Sequence, residues 1–357
     1  MRFSWLICLF FFPGITLAQN GIITGKVTRA DNKAPLSLVN VFLSNTTFGT
    51  STASDGTFTL SHLKPGQYTL AVSIIGYEEY STTVSVAQEP INLNVELSPK
   101  VTELHEVIVT TPANWKKNYD QFVKEFIGTD ENAKQCYVLN PHVVNLVYHK
   151  AQQELEAYTD DFLVIDNLAL GYRIKFLLEK FTNSKLTDIT GYRGQRLFQE
   201  LPGSKRQVKK WKKKREEAYY GSPMHFYRSL YTNKLDSDGF IIMKLSRLLN
   251  PNHEHLDRNP VPLNTILFKT RKDGIYAVNF TDCLYIIYTK KHEEMNFKYV
   301  YRPLDMENFE TSVISITKPY LFDTNGIVFG ESTPLYDGTW SKSKLSDLLP
   351  VDYTPGD

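Results

Sequence analysis

Between residues 22 and 97, apolar and polar side chains alternate in short runs separated by glycine-bearing turns. Val39, Val41 and Leu43 fall on one side of a strand, as do Phe58 and Leu60. Tyr68, Leu70, Val72 and Ile74 make a third set, and Ile91, Leu93, Val95 and Leu97 a fourth. Successive side chains of a strand point to opposite faces, so each set forms an apolar face backed by polar residues. Short strands at regular intervals predict a small β-sandwich rather than a parallel α/β sheet. Asp55-Gly56 reads as a hairpin turn, because glycine takes positive φ without steric cost, and Pro65-Gly66 marks a second turn. Calcium asks for roughly six to eight oxygens, so Asp55 with Ser54 is read as a turn former and not as a cation site.

The residues before this stretch set a compartment. Met1-Arg2-Phe3 is followed by an apolar run from Trp5 to Phe12 and then by Thr16-Leu17-Ala18. A positive start, a short hydrophobic core and small residues before a cut describe a secretory signal peptide over residues 1–18, leaving Gln19 first in the mature chain. The run is shorter than the roughly 20 residues that span a bilayer. Cys8 lies inside it, and Gln19 is not the cysteine a lipid anchor requires. No later stretch reads as a membrane helix. A formal net charge of +1 gives no global pull toward nucleic acid. The chain is therefore expected to be exported, to the periplasm or the outer-membrane surface, with peripheral membrane association at most. Cys136 and Cys283 either pair there, closing a loop worth about 4–5 kcal/mol, or stay as separate thiols.

The series Gly25/Val27, Pro35-Leu36, Val39/Val41, Asp55-Gly56-x-Phe58, Gly66-x-Tyr68 and Gly76-Tyr77 resembles the carboxypeptidase regulatory-like domain. That resemblance covers residues 21–98 and implies a transthyretin-like, seven-stranded sandwich without catalytic residues. It also implies the setting in which the module recurs, the N-termini of Bacteroidota envelope proteins, TonB-dependent receptors among them. Residues 103–111 (Glu103-Leu104-His105-Glu106-Val107-Ile108-Val109-Thr110-Thr111) resemble the stretch that contacts TonB in such receptors. The chain after Thr111 is too short for a transporter barrel of about 22 strands. Residues 99–113 are accordingly read as a linker or edge strand.

Residues 114–357 read as a larger, mostly antiparallel, β-rich α+β domain. They resemble an uncharacterised region found behind the same module. Trp115, Tyr119, Phe122 and Phe126 at helical spacing predict an amphipathic helix ending near Gly128. Val143–Tyr148, Leu155–Tyr158, Phe162–Ile165 and Gly171–Glu179 read as hairpin strands. Further strands are expected at Thr265–Thr270, Gly274–Phe280, Leu284–Thr289, Val313–Thr317 and Gly326–Phe329. A short helix over Ser341–Leu349 and an exposed tail, Asp352-Tyr353-Thr354-Pro355, close the chain.

The candidate binding residues fall in three places. Lys205-Arg206, Lys209-Lys210 and Lys212-Lys213-Lys214-Arg215 predict an exposed basic helix with Val208 and Trp211 packed inward. Lys209, Lys210 and Lys213 read first as a solvated face with local Glu–Lys pairing; as a contact surface they suit anionic envelope polymers better than nucleic acid, for which no recognition motif is present. Ser222-Pro223 reads as the start of a helix that places His225 and Arg228 three apart. His253, His255 and Asp257 are the best metal-ligand set, but Pro251, Pro260 and Pro262 bracket them in what reads as an irregular loop. Asp160, Asp161 and Asp166 read as turn acids. No catalytic residue and no cofactor is assigned. The expectation is a non-enzymatic envelope protein in which a docking or spacer sandwich carries a domain that binds a glycan, peptide or protein. The alternatives are a periplasmic hydrolase using His225, Arg228 or the His253/His255 loop, and an accessory of TonB-dependent uptake.

Overall fold

The computed structural model describes residues 21–100, 112–247, 254–293, 302–303, 305–330 and 332–356. The leader, segment 103–111 and His253 lie outside the described residues.

The first eight strands are β1 (Gly21–Arg29), β2 (Asn40–Leu43), β3 (Gly49–Ser51), β4 (Thr57–Leu63), β5 (Gly66–Ser73), β6 (Tyr80–Val86), β7 (Ile91–Asn92) and β8 (Val95–Leu97). They form two sheets: one ordered β4-β1-β7 with β8 also on β1, the other β3-β2-β5-β6. β7 and β8 run parallel to successive halves of β1 and so act as one interrupted strand. At the interruption the backbone of Leu93 presses on Gly25, where a Cβ would lie 1.9 Å from the Leu93 carbonyl oxygen. Only glycine fits there. The alternating sets predicted from sequence fill the space between the sheets, with Val39, Val41, Leu43, Leu70 and Val72 fully buried. Asp55 accepts from the Thr57 amide and hydroxyl, as a turn former does. That turn and Pro65-Gly66 each join strands of different sheets, so both are crossings between sheets and not hairpins. The module is a β-sandwich.

Helix α1 (Pro112–Phe126) follows. Phe122 and Phe126 are fully buried against Phe176 and Phe181, and Gly128 at φ +110 ends the run. They cover a six-stranded antiparallel sheet made of β9 (Cys136–Val138), β10 (Val144–His149), β11 (Glu154–Thr159), β12 (Leu163–Asn167), β13 (Tyr172–Ser184) and β14 (Ile189–Glu200). Three helices come next: α2 (Lys205–Tyr219), α3 (Pro223–Tyr231) and α4 (Leu235–Asp238). The remaining strands are β15 (Phe240–Ser246), β16 (His255–Pro260), β17 (Leu267–Lys269), β18 (Ile275–Val278), β19 (Cys283–His292), β20 (Phe309–Ser315), β21 (Tyr320–Asp323), β22 (Val328–Phe329) and β23 (Leu335–Gly338). They pair as β16-β15-β19-β20-β23 and β17-β18-β21-β22, with α3 packed on the core they share. Among the described residues beyond α1 there are thus three sheets, all antiparallel.

Several expectations are corrected. Val208 is 37 % exposed; the buried stripe of α2 is Trp211, Arg215 and Tyr219. The segment from His255 to Pro260 is an edge strand on β15, not an irregular loop. The tail is exposed only in part: Thr354 is exposed, but Tyr353 is buried, as is Val351 before it, and Asp352 accepts from the Thr47 amide and hydroxyl of the sandwich. Ser341–Leu349 is not one helix: it takes in the end of a four-residue helix, α5 (Thr339–Lys342), and a 3-10 turn over Leu345–Asp347. Cys136 and Cys283 do not pair, because they sit on different sheets against different cores. Burial pushes the Cys136 thiol up to about 12 and raises that of Cys283, so neither is poised as a thiolate.

Candidate functional site

The end of α2, the start of α3 and the returning tail enclose a cleft of about 390 Å³, closed on one side by Lys64 of the sandwich. Its construction begins with a local signal. Tyr219-Tyr220 ends α2, Gly221 at φ +87 reverses the chain, and the Ser222 hydroxyl accepts the His225 amide to start α3. Pro223 costs nothing at the first helical position, where its amide would have no partner. This turn brings His225, Arg228 and Ser229 beside Tyr219 and Tyr220.

His225 is 5 % exposed. The Gly221 amide donates to Nδ1 at 3.2 Å, which places the imidazole proton on Nε2, 3.8 Å from Asp238 Oδ2. Burial lowers its pKa to about 4, with Lys290, Lys291 and Arg228 adding to the effect and Asp238 opposing it. The ring is neutral at neutral pH. Ser229 donates to Asp238 Oδ2 at 2.6 Å and lies 2.9 Å from the His225 carbonyl. Nucleophilic catalysis needs serine on histidine and histidine on carboxylate. Here the carboxylate stands between the other two.

Arg228 is bonded to backbone through each of its three nitrogens. Its Nε donates to Asn325 O at 2.9 Å, and its terminal nitrogens donate to Tyr353 O at 2.9 Å and Val351 O at 2.7 Å. It fastens the tail, and its guanidinium lies 5.5 Å from the centre of the Tyr219 ring. Lys64 reaches the same tail at Asp352 O and Thr354 Oγ1. Lys234 lines the cleft without an acidic partner among the described residues. The open wall is therefore aromatic and cationic: Tyr220 (41 % exposed), Tyr231 and Lys234, with Lys64 opposite.

Of the residues singled out from sequence, the cleft brings His225 and Arg228 together. Lys209, Lys210 and Lys213 are on the outer face of α2 and do not line it. His255 and Asp257 are exposed on β16, where Asp257 accepts from Asn259. Among the described residues, no group of three His, Cys, Asp or Glu side chains is arranged to hold a metal. Asp166 is taken by Arg173 in a bidentate pair and Asp160 by Lys100. Sequence reading missed Lys64, Tyr220, Lys234 and the tail. Only the Tyr219-Tyr220-Gly221 step before a capped helix was a local signal for any of them.

The architecture defines a β-sandwich module docked onto an α+β body with a cleft at the junction. Residues 23–109 match the family model of the CarboxypepD_reg-like domain, and the N-terminal sandwich is a carboxypeptidase regulatory-like domain. No curated protein matches the chain. Among solved structures, the pilus 2b backbone protein of group B streptococcus shares 23 % identity over 23 % of this chain and 42 % of its own, at a TM-score of 0.20. A type II cohesin-X-dockerin complex from Acetivibrio cellulolyticus gives 16 % identity over 34 % of this chain and 83 % of that one, at 0.21. A putative membrane-associated protein of unknown function from Bacteroides fragilis gives 15 % over 45 % and 65 %, at 0.19. The chain spans less than half the length of the first of these. At such scores the likenesses carry no functional argument. No helix among the described residues is long and apolar enough to cross a membrane.

Proposed function

We propose that this is an exported, non-enzymatic binding protein of the cell envelope, in which the regulatory-like sandwich docks and braces a body that holds a short glycan or peptide segment in the junctional cleft. The observation that carries this reading is the commitment of the cleft's reactive groups. His225 is neutral and bonded to backbone, Ser229 is turned to Asp238, and Arg228 is spent on three carbonyls. What remains open to a ligand is the tyrosine and lysine wall. Aromatic faces and a few convergent polar groups are what recognition of sugars and peptides uses. A volume of about 390 Å³ falls within the roughly 300–1,000 Å³ of small-ligand sites. That favours a segment over a whole protein surface.

The test is an array of envelope glycans and peptides probed with the full chain. Binding should weaken about tenfold or more in Tyr220→Ala and in Lys234→Ala, with melting temperature unchanged. Turnover of an array member that disappears in His225→Gln would replace this reading with the hydrolase.

A further inference from the structure

Helix α2 is charged against its own dipole. Acidic groups stabilise the first turn of a helix and basic groups the last. Here Lys205 and Arg206 open the helix, no acid stands in its first turn, and Glu216-Glu217 lie near its end. Lys205, Lys209 and Lys213 repeat at four-residue spacing, as do Arg206 and Lys210, so like charges neighbour one another along one face. The capping box between Ser204 and Gln207 holds the start of the helix despite this.

Packing does not account for these cations. Trp211, Arg215 and Tyr219 form the buried stripe, and every residue from 202 to 210 is exposed, so the first half of α2 stands clear of the body. Arg215 turns inward to the Leu170 and Gly171 carbonyls and Glu200. Lys213 and Lys214 lean on Glu217. Lys205, Arg206, Lys209, Lys210 and Lys212 have no acidic partner among the described residues. Five cations that neither pack nor pair, on a rigidly anchored and projecting helix, are explained by an anionic surface outside the protein.

We propose that the outer face of α2 docks the protein on a phosphate-bearing lipid surface. Residues 202–210 carry no aromatic side chain and Trp211 is buried, whereas single-stranded nucleic acids are held by bases stacked on aromatic faces. Val208 is the one apolar side chain between residues 203 and 210, so the contact is peripheral and electrostatic, without insertion. Such a contact weakens steeply with salt.

The experiment is sedimentation of the full chain with vesicles of phosphatidylcholine alone and of phosphatidylcholine with phosphatidylglycerol. The protein should partition onto the anionic vesicles only and leave them at about 0.5 M sodium chloride. Each cation near such a surface contributes about a fivefold gain in partitioning. The variant Lys205→Gln/Arg206→Gln/Lys209→Gln/Lys210→Gln should therefore lose at least about a hundredfold. Its melting temperature should match or exceed that of the parent, because it removes repulsion, and Lys269→Gln/Lys272→Gln on β17 and its turn should bind as the parent does. Equal binding to both vesicle types would overturn the proposal, as would undiminished binding of the quadruple variant. Binding of soluble polyphosphate with none to vesicles would overturn it as well.

Discussion

Arg228 shows how one side chain can look like an active-site residue and serve as a fastener. Its three carbonyl partners come from the 324–325 loop and the tail, segments far apart in sequence. Hydrogen bonds to a charged group are each worth about 1.5–3 kcal/mol, and removing the donor leaves carbonyls unmet. Arg228→Ala should cost about 3 kcal/mol in denaturant unfolding and free the tail for proteolysis. Arg228→Lys, with one ammonium for three acceptors, should recover less than half of that. Two groups give stability a pH dependence of opposite sign. His225 takes its proton near 6.5 when unfolded but near 4 when folded. Between those values the unfolded chain binds more protons, so acid favours unfolding. Asp347 is the reverse: burial and the neighbouring Asp130 carboxyl raise it from the usual carboxylate range to about 7. Between about 4 and 7 the folded chain holds the extra proton, and its stabilisation is lost as pH rises through 7. Asp347→Asn, a stand-in for the neutral acid that keeps a partner for Asn132, should gain on the parent from pH 4 upward and reach its full advantage above pH 7. Melting temperatures across that range check it; an advantage that shrinks with rising pH would contradict the assignment.

At the scale of elements, α2 hangs on Trp211. The indole lies across Gly171 and Gly203, where a Cβ would come within 2.2 Å and 2.5 Å of the ring, and its Nε1 donates to Leu168 O at 2.8 Å. Trp211→Ala should cost about 3–5 kcal/mol. Gly171→Ala should also destabilise, since φ is +73 there and the ring blocks the added methyl. Hydrogen exchange along α2 would show whether the helix loosens first. Elements of this kind were readable where a local rule sets them. Alternation gave the sandwich strands, the Trp115-to-Phe126 stripe gave α1, and Ser222-Pro223 gave the start of α3. Reading failed where the deciding contact is remote in sequence. Val208 has the apolar character of an inward residue, but the 168–172 loop that receives α2 accepts Trp211 and Arg215 instead. Pro260 suggested a loop at 255–260, yet proline is tolerated on an edge strand, where it ends the pairing with β15. The Asp55-Gly56 turn was legible, whereas its joining of two sheets depends on which strand β4 pairs with, and that partner is β1. For the site, His225 and Arg228 were named, but the tail that completes it looked solvated because nothing local shows that Thr47 and Arg228 hold it.

Across the whole molecule, the sandwich and the body are joined by one continuous structure. The outer face of its second sheet sends Phe42 and Ala71 into a cluster with Phe162, Leu177 and Leu197 of the body, all buried. Next to it, the 44–47 turn covers the free edge of β14: the Asn45 amide donates to Arg196 O at 2.7 Å and the Phe198 amide to Thr46 O at 2.9 Å. The tail closes the same turn from the other side, with the Val351 amide donating to Asn45 O at 2.7 Å. An exposed sheet edge invites pairing with other chains, and here the sandwich occupies it. The same docking sets Lys64 against the tail, so the cleft exists only while both halves are joined. This geometry makes a claim about cooperativity. Parts that share a core and backbone hydrogen bonds unfold together, while parts joined by a loose linker melt separately. The parent chain should therefore show a single calorimetric transition. Phe42→Ala with Leu197→Ala should split it in two, because the pair empties the shared cluster while leaving Val39, Val41 and Leu43 inside the sandwich untouched. Each large-to-small change costs about 2–5 kcal/mol, and two residues in one cluster are not expected to add. Two transitions already present in the parent would mean that the sandwich is only tethered. In that case Lys64 and the tail would have no fixed relation, and the cleft would not persist in solution.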